Sequence, residues 1–283
     1  MSAPELLDAP LADGRHLRVR RTPGRGRPLV LLHGLLDDAA GWAQTMERSP
    51  RPCLAFDLPG FGGSSLPLRA RIDAYGADVA EALAALDVAH ATVVGHSLGG
   101  AVAAALAERS PAVDALVLLA PAGFGPIRLA ELVTLPGIGA VTQAALPLGL
   151  LNPLVVTAAY TTLVAHRRLP SRDLVDRLRH SALRSGRGAR MAVEAIAAEG
   201  RAADGLGRRR VAFDGPVAAL WGARDALVPV AHADGVRRAF PQATVEVWPG
   251  MGHHPQHERP AELERFLEQA TDGPGTPAVR RAA

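Results

Sequence analysis

Short apolar runs recur along the chain and alternate with segments of helical periodicity. Five of the runs are "RPLVLLHG", "PCLAFDLPG", "ATVVGHS", "VDALVLLAPAG" and "GPVAALWGARD". Continuous runs of this length are typical of strands buried on both faces, whereas the alternating "HLRVRR" predicts a half-exposed antiparallel strand. Strands and helices in alternation predict an α/β fold, in which helices cover both faces of a doubly wound, mostly parallel sheet.

This alternation stops between about residues 124 and 210 and resumes at "GPVAALWGARD". The intervening segment has helical character, first apolar and then rich in Arg and Ala. We therefore predict a core made of residues 1–124 and 211–271, interrupted by a helical insertion at 125–210. The tail at 272–283 has no apolar periodicity and is expected to be disordered.

The first half of the insertion raises the question of a membrane segment. Residues 132–165 carry no formal charge, a length sufficient to cross a bilayer. Several Pro and Gly residues interrupt the stretch, so that no clean apolar window of about 20 residues remains. Short apolar helices without a membrane span are the favoured interpretation. Peripheral lipid contact through this segment is the alternative.

The composition of the chain excludes several classes of function. The 283-residue chain is 48% hydrophobic and 21% charged, with a formal net charge of +3, and all 31 of its basic residues are Arg. The absence of Lys excludes a pyridoxal-phosphate Schiff base and a P-loop lysine. The single cysteine, Cys53, excludes a disulfide framework. Dispersed Arg residues do not favour a nucleic-acid partner, and the first residues lack a secretory pattern, so a cytoplasmic protein is expected.

The segment "GHSLGG" places Ser97 where a predicted strand gives way to a predicted helix. Gly95 and Gly99 flank it in a G-x-S-x-G pattern, which is informative in this strand-to-helix context. A serine on such a tight turn has a strained backbone, at a cost of about 1–3 kcal/mol, and its neighbours must be small. The turn is expected to expose the hydroxyl at the carboxyl end of the strand, where open parallel sheets bind ligands.

A serine hydroxyl needs a base to take its proton and an acid to orient that base. Asp225 in "WGARDALVP" and a histidine in "GHHPQHERP" each follow a later strand, so sheet geometry directs both toward Ser97. The second loop offers His253, His254 and His257. A metal site made from these three histidines has no carboxylate or cysteine spacing to support it, and neither a metal nor another cofactor is expected.

Five motifs, "LLHG", "DLPGFGGSS", "GHSLGG", "WGARDALVP" and "GHHPQHERP", occur in the order typical of α/β-hydrolase fold enzymes. From about residue 18 to 270, the chain resembles the esterase-like and lipase-like serine hydrolases of that superfamily that carry a helical cap. The family's G-H-x-x-x-x-E-x-P pattern implies that His253 is the base, with His254 as the alternative and His257 on the surface. Some members place the acid after the earlier strand "VDALVLLAPAG", but no carboxylate follows it directly, which favours Asp225.

The resemblance also implies the remaining parts of the site. The backbone N–H groups of Leu35 and Leu98 correspond to the family's oxyanion hole, which binds the negatively charged oxygen of the transition state. His33 and Asp57 correspond to structural positions. The insertion corresponds to a cap over the active site, and its apolar residues suggest an apolar acyl pocket; they are Leu135, Ile138, Val141, Leu146, Leu150 and Leu151.

Together these features predict a serine hydrolase that cleaves a carboxylic ester, or a related acyl bond, of a small and largely apolar substrate. Serine at the bend argues against dehalogenases and epoxide hydrolases, which use a carboxylate nucleophile. A thioesterase, an acyltransferase and a weakly catalytic small-molecule receptor stay open as alternatives. So does a carbon–carbon bond hydrolase, in which Arg184, Arg187 and Arg190 would bind a substrate carboxylate. The sequence leaves the oligomeric state open.

Overall fold

The fold is built around one twisted sheet. The computed structural model describes residues 3–135, 137, 152–165 and 169–271. Within these ranges eight strands join in the order β1-β2-β4-β3-β5-β6-β7-β8. The strands are β1 (Glu5–Pro10), β2 (His16–Thr22), β3 (Leu29–Leu32), β4 (Cys53–Phe56), β5 (Ala91–His96), β6 (Val113–Leu119), β7 (Val217–Gly222) and β8 (Thr244–Trp248).

Strand directions confirm the predicted fold class. β1 pairs antiparallel with β2, and β2 antiparallel with β4, while every neighbouring pair from β4 across to β8 is parallel. The segment "HLRVRR" forms the predicted antiparallel strand. β1 was not predicted, because its exposed pairing with β2 leaves no apolar run in the sequence.

Helices flank and connect these strands. The described α-helices are α1 (Ala43–Arg48), α2 (Ile72–Ala85), α3 (Leu98–Ala107), α4 (Arg128–Val133), α5 (Pro153–Ala159), α6 (Arg172–Arg184), α7 (Gly186–Arg201), α8 (Ala233–Ala239), α9 (Pro255–Glu258) and α10 (Pro260–Thr271). Short 3₁₀ turns occupy Ala39–Trp42, Leu206–Arg208 and Val230–His232, and a π-helical turn occupies Tyr160–Val164.

The strands alternate their side chains between two apolar layers, as burial on both faces requires. Val30, Leu32 and Val93 face a cluster that includes residues of α2 and α3. Leu29, Leu31 and Val94 face the opposite cluster, which includes residues of α1 and α10. This arrangement brings the carboxyl ends of β3, β5, β6 and β7 to one edge of a rigid sheet.

Between β6 and β7 the described residues form helices and turns and no strand. The division into a core and an insertion at 125–210 stays a prediction. Side-chain caps fix two of the helix starts. The Asn152 side chain accepts a hydrogen bond from the N–H of Leu154, and the Ser171 hydroxyl accepts one from the N–H of Leu174. Among the residues expected to line an acyl pocket, Leu135 is exposed, whereas Ile138, Val141, Leu146, Leu150 and Leu151 lie outside the described residues, as does the tail at 272–283.

No described helix combines the length and the apolar character that crossing a bilayer requires. The cytoplasmic location expected from the sequence stays a prediction.

Candidate active site

Ser97 forms the bend between β5 and α3. Its backbone has φ 52° and ψ −115°, a conformation that non-glycine residues rarely adopt. Two hydrogen bonds of 2.9 Å hold the bend. The Ser97 N–H donates to the carbonyl of Leu119, the last residue of β6, and the N–H of Ala122, just after β6, donates to the Ser97 carbonyl. The strained bend predicted for Ser97 is therefore present, and tertiary hydrogen bonds maintain it.

The flanking glycines are sterically required. A Cβ on Gly95 would lie 2.3 Å from the carbonyl oxygen of Gly99, and a Cβ on Gly99 would lie 2.3 Å from that of Leu32. Gly34, in the loop after β3, approaches the bend in the same way, because its Cβ would lie 3.3 Å from the Ser97 Cβ. Glycine at all three positions lets this loop pack directly against the serine.

This close packing leaves Ser97 only 8% exposed as a whole residue. The prediction of an exposed hydroxyl concerns a single atom of that residue and stays a prediction. The sequence showed the turn but not the approach of the Gly34 loop to it. A reacting group with little access to bulk water experiences stronger electrostatic interactions with its neighbours.

Asp225 and His253 are in direct contact. The Asp225 Oδ2 atom lies 2.7 Å from the His253 Nδ1 atom, and both side chains are buried. The other carboxylate oxygen, Oδ1, accepts hydrogen bonds from the N–H groups of Leu227 and Val228, at 2.9 and 2.8 Å. Because a carboxylate only accepts, the ring donates through Nδ1, and Nε2 is the nitrogen left for the predicted role as base.

Three consecutive backbone N–H groups in the loop that carries His253 donate hydrogen bonds that hold it in place. Those of Gly252 and His254 donate to the two carboxylate oxygens of Glu258, at 2.9 and 3.0 Å. The N–H of His253 donates to the carbonyl of Val164, at 2.6 Å, in the π-helical turn of the insertion. Glu258 therefore orders the loop that carries His253.

His96 connects the bend to the histidine loop. Its ring lies 4.7 Å from the His253 ring, and its Nε2 atom lies 2.8 Å from the His253 carbonyl oxygen. No hydrogen bond joins the Ser97 hydroxyl to the His253 ring, both of which belong to the described part of the chain. Catalytic hydrogen bonds often form or shorten only when substrate binds, so proton transfer between these two groups stays a prediction.

Leu98 and Leu35 occupy suitable positions for the predicted oxyanion donors. Leu98 is the first residue of α3, so its N–H has no carbonyl in a preceding helical turn to accept it. The dipole of α3 places partial positive charge at the same point. Leu35 follows Gly34 in the loop that packs on Ser97, and the next residue, Leu36, has φ 62°. The role of both N–H groups stays a prediction.

The structural roles expected for His33 and Asp57 are confirmed. The His33 Nε2 atom accepts a hydrogen bond from the N–H of Leu58, at 2.9 Å. The Asp57 oxygens accept from the N–H groups of Ala39 and Gly63, both at 2.8 Å. These bonds join the loops after β3 and β4, and thereby support the segment that contains Leu35.

Comparison with known proteins shows the family to which this chain belongs. The family model described as "alpha/beta hydrolase fold" matches residues 27–260. The chain belongs to the α/β-hydrolase fold family. It is 31% identical over 287 residues to an uncharacterized protein of Mycobacterium tuberculosis, covering 94% of this chain and 82% of that protein.

Two further similarities extend the comparison for this α/β hydrolase. It is 31% identical to the dihydrolipoyllysine-residue acetyltransferase component of the acetoin cleaving system of Cupriavidus necator, covering 92% of this chain and 68% of that protein. The solved structure of a membrane phospholipase A, described as a novel bacterial virulence factor, matches with a TM-score of 0.76 and 25% identity, covering 96% and 86% of the two chains. These similarities support a function of the hydrolase or acyltransferase type.

A buried charge cluster in this α/β hydrolase was not predicted. Asp37, in the loop after β3, has a carboxylate that is 2% exposed; its oxygens lie 3.5 Å from Arg177 Nη1 and 3.9 Å from His257 Nε2. Both distances exceed those of good hydrogen bonds, so charge attraction holds the group. Burial alone would raise the pKa of Asp37, but the His257 ring and the Arg177 guanidinium hold it well below its usual value. Ser181 of α6 adds a 3.1 Å hydrogen bond to the Asp37 carbonyl.

The position of His257 corrects an expectation from the sequence. It was placed on the surface of the final helix, but its side chain is 10% exposed and faces Asp37. Its neighbour His254 is also buried, and its Nδ1 atom lies 3.2 Å from the Tyr160 hydroxyl. Burial, with the nearby His96 and His257 rings, lowers the pKa of His254 well below that of an ordinary histidine. His254 therefore contacts Tyr160, and His253 contacts Asp225.

Two other candidate sites can be compared with the structure. No three His, Cys, Asp or Glu side chains within residues 3–135, 137, 152–165 and 169–271 are arranged to hold a metal ion. Arg184, Arg187 and Arg190 are exposed on and beside the ends of α6 and α7, and Arg190 forms a 2.8 Å ion pair with Glu194. This exposure favours a solvated helix surface over a carboxylate-binding pocket.

Proposed function

We propose that this α/β hydrolase is a serine hydrolase that cleaves a carboxylic ester, or a related acyl bond, of a small and largely apolar substrate. The observation that carries the proposal is the buried 2.7 Å contact between Asp225 and His253, on a loop tied through His96 to the strained bend at Ser97. A histidine oriented by a carboxylate, on a loop bonded to the residue before a serine at a strand-to-helix bend, supports nucleophilic catalysis.

In the proposed reaction, the His253 Nε2 atom takes the proton of the Ser97 hydroxyl while the serine oxygen attacks the acyl carbonyl carbon. The carbonyl oxygen becomes an oxyanion, which the N–H groups of Leu35 and Leu98 bind; each donor contributes about 3–4 kcal/mol to lowering the barrier. Asp225 stabilises the imidazolium that forms.

Collapse of this intermediate expels the alcohol, which takes its proton from His253 Nε2, and leaves an acyl-serine ester. Water then attacks the acyl group, with His253 accepting its proton, and a second collapse releases the carboxylic acid and returns the proton to Ser97. Every step uses groups of the protein, and no cofactor enters the proposed mechanism.

Residues 125–210 are proposed as a cap over this site. Val164 and Tyr160, both in the π-helical turn of that segment, contact the loop that carries His253. The proposal of an apolar acyl pocket rests on the uncharged character of residues 132–165. Small apolar esters are therefore the expected substrates.

Acyl transfer to an acceptor other than water is the second candidate. The 31% identity to the acetyltransferase component of Cupriavidus necator favours this alternative, because the same acyl-serine can react with an alcohol or a thiol. Product analysis in the presence of an added alcohol distinguishes the two. A hydrolase yields mainly the free acid, whereas an acyltransferase yields mainly the new ester.

Hydrolysis of p-nitrophenyl acetate, butyrate and octanoate by wild type and Ser97→Ala tests the proposal. We expect Ser97→Ala to lower kcat by at least about 10³-fold and wild type to favour butyrate or octanoate over acetate. Ser110→Ala, just beyond the far end of α3, is the matched control and should leave turnover unchanged. Full turnover by Ser97→Ala would refute the serine mechanism, and a preference for acetate would refute the apolar pocket.

A further inference from the structure

The main chain of His253 is hydrogen-bonded on both sides. Its N–H donates to the Val164 carbonyl in the insertion, at 2.6 Å, and its C=O accepts from the His96 ring, at 2.8 Å. His96 directly precedes Ser97 in the chain. The hydrogen bond from His96 therefore links the residue that carries the proposed base to the residue next to the proposed nucleophile.

The hydrogen-bond partners of His96 define its protonation state. A backbone carbonyl can only accept, so the Nε2 atom facing His253 carries the proton. The Nδ1 atom then accepts from the side-chain amide of Gln256, at 3.2 Å. His96 is 1% exposed, and burial together with the nearby His253 ring lowers its pKa well below that of an ordinary histidine. The ring is neutral, and both of its nitrogens are engaged.

Neighbouring groups fix the ring of His96 in place. The rings of His253 and His254 each lie 4.7 Å from it. On another side, a Cβ on Gly34 would lie 2.8 Å from its Nδ1 atom, so the backbone there is in close contact. A ring held at both nitrogens and packed against other rings and backbone has little freedom to change rotamer.

On its other side, the loop that carries His253 packs closely against the insertion. A Cβ on Gly252 would lie 2.0 Å from the Val164 carbonyl oxygen, so only glycine permits this approach. Val164 ends a π-helical turn, an irregularity that occurs frequently at functional sites. The loop therefore cannot shift toward the insertion, and the hydrogen bond from His96 prevents it from shifting away from the bend.

We propose that His96 is a positioning residue for the base His253. Its Nε2–H donates to the His253 carbonyl, and this bond sets the distance between the His253 imidazole and the Ser97 hydroxyl. The inference rests on the proposed serine hydrolase function and adds a residue outside the Ser97, Asp225 and His253 set. A displacement of about 1 Å between reacting groups can cost on the order of 100-fold in rate, so a hydrogen bond that sets their separation acts mainly on kcat.

Three substitutions of His96 separate the effect of its hydrogen bond from the effect of its packing. The amide nitrogen of glutamine occupies nearly the position of histidine Nε2, whereas that of asparagine corresponds to Nδ1. His96→Gln therefore keeps a donor toward the His253 carbonyl, His96→Asn loses it, and His96→Phe keeps only the ring. With p-nitrophenyl butyrate, we expect the Asn and Phe variants to lower kcat at least about 30-fold relative to wild type. The Gln variant should lower kcat by no more than about fivefold, and KM should stay within about threefold of the wild-type value in all three variants.

Val79→Ala in α2 is the control for loss of stability, since it removes buried methyl groups from the apolar cluster on one face of the sheet. It should lower the melting temperature without lowering kcat. Equal kcat values for His96→Gln and His96→Asn, or losses confined to KM, would overturn the inference. If the Phe variant fails to fold, the Gln and Asn pair decides alone. A fully active Ser97→Ala would instead refute the proposed function, so the two failures are distinguishable.

Discussion

Gly95 and Gly99 approach each other so closely that a Cβ on Gly95 would lie 2.3 Å from the carbonyl oxygen of Gly99. Between them, Ser97 has φ 52°, its N–H is bonded to the last residue of β6, and its carbonyl is bonded to the segment after β6. The bend therefore depends on close contact between backbone atoms. A side chain added at Gly95 would meet backbone, which cannot move aside as a neighbouring side chain could by changing rotamer.

Gly95→Ala is expected to destabilise the protein by at least about 3 kcal/mol, because the new methyl group meets backbone that cannot move aside. Thermal or urea unfolding measures this effect. Gly186→Ala is the matched control, since a Cβ on Gly186 meets nothing within 4 Å, and its effect should stay within about 0.5 kcal/mol. Equal stability of the two variants would contradict the close approach that defines the bend.

Much of this architecture is readable from local sequence. Buried strands such as "ATVVGHS" are continuous apolar runs. Gly95 and Gly99 indicate a turn so tight that only glycine fits at these two positions. The carboxyl ends of parallel strands meet at one edge of the sheet, so the positions of Asp225 and His253 after later strands predicted that both would approach Ser97. The contact between them is in the structure.

The contacts that surround this pair were not predictable in the same way. His96 was only one position of the motif around Ser97, and its bonds to the His253 carbonyl and to Gln256 join residues 157 and 160 positions apart in the chain. Asp37 and Arg177 meet only because α6 packs on the loop after β3. No periodicity or spacing in the sequence encodes such contacts, since they depend on how loops and helices that are distant in the chain pack together.

Asp225→Asn should lower kcat/KM by on the order of 10³–10⁴-fold with little loss of stability. The Oδ1 atom of Asp225 accepts from Leu227 and Val228, so the amide oxygen takes that place and the amide N–H₂ faces His253. The ring must then carry its proton on Nε2, where it can no longer accept one from Ser97. Steady-state ester hydrolysis measures the effect, with the exposed Asp214→Asn as control. A loss below tenfold would contradict the assignment of the acid.

The two adjacent histidines should differ sharply in their contribution. His253→Gln is expected to lower kcat by about 10³-fold, whereas His254→Gln should lower it less than about tenfold, since His254 contacts Tyr160 and not the acid. Both variants remove a buried ring from the same loop, so each controls for the other in stability. The opposite order of losses would assign the base to His254.

Asp37→Asn should destabilise the protein by about 3 kcal/mol at pH 7, because it leaves Arg177 without its buried partner. The fold holds the pKa of Asp37 below its unfolded value of about 3.9, so the carboxylate's contribution is complete above that pH and is lost as the pH falls toward the folded value. The difference between wild type and variant in urea unfolding should therefore shrink from pH 7 to about pH 3.

Asp38→Asn provides the contrast to this titration. Burial and the neighbouring Asp37 charge raise the pKa of Asp38, so its ionisation opposes folding as the pH rises. Wild type should gain stability relative to Asp38→Asn on acidification, which is the reverse of the trend for Asp37. The same slope for both variants would contradict the opposite environments of these adjacent carboxylates.

Covalent labelling by a fluorophosphonate, followed by peptide mass spectrometry, tests most directly whether His253 and Asp225 activate Ser97. The account predicts one adduct per chain, located on Ser97, absent from Ser97→Ala and formed at least about 100-fold more slowly in His253→Gln. No adduct on the wild-type protein, or an adduct that forms equally fast without His253, would contradict it.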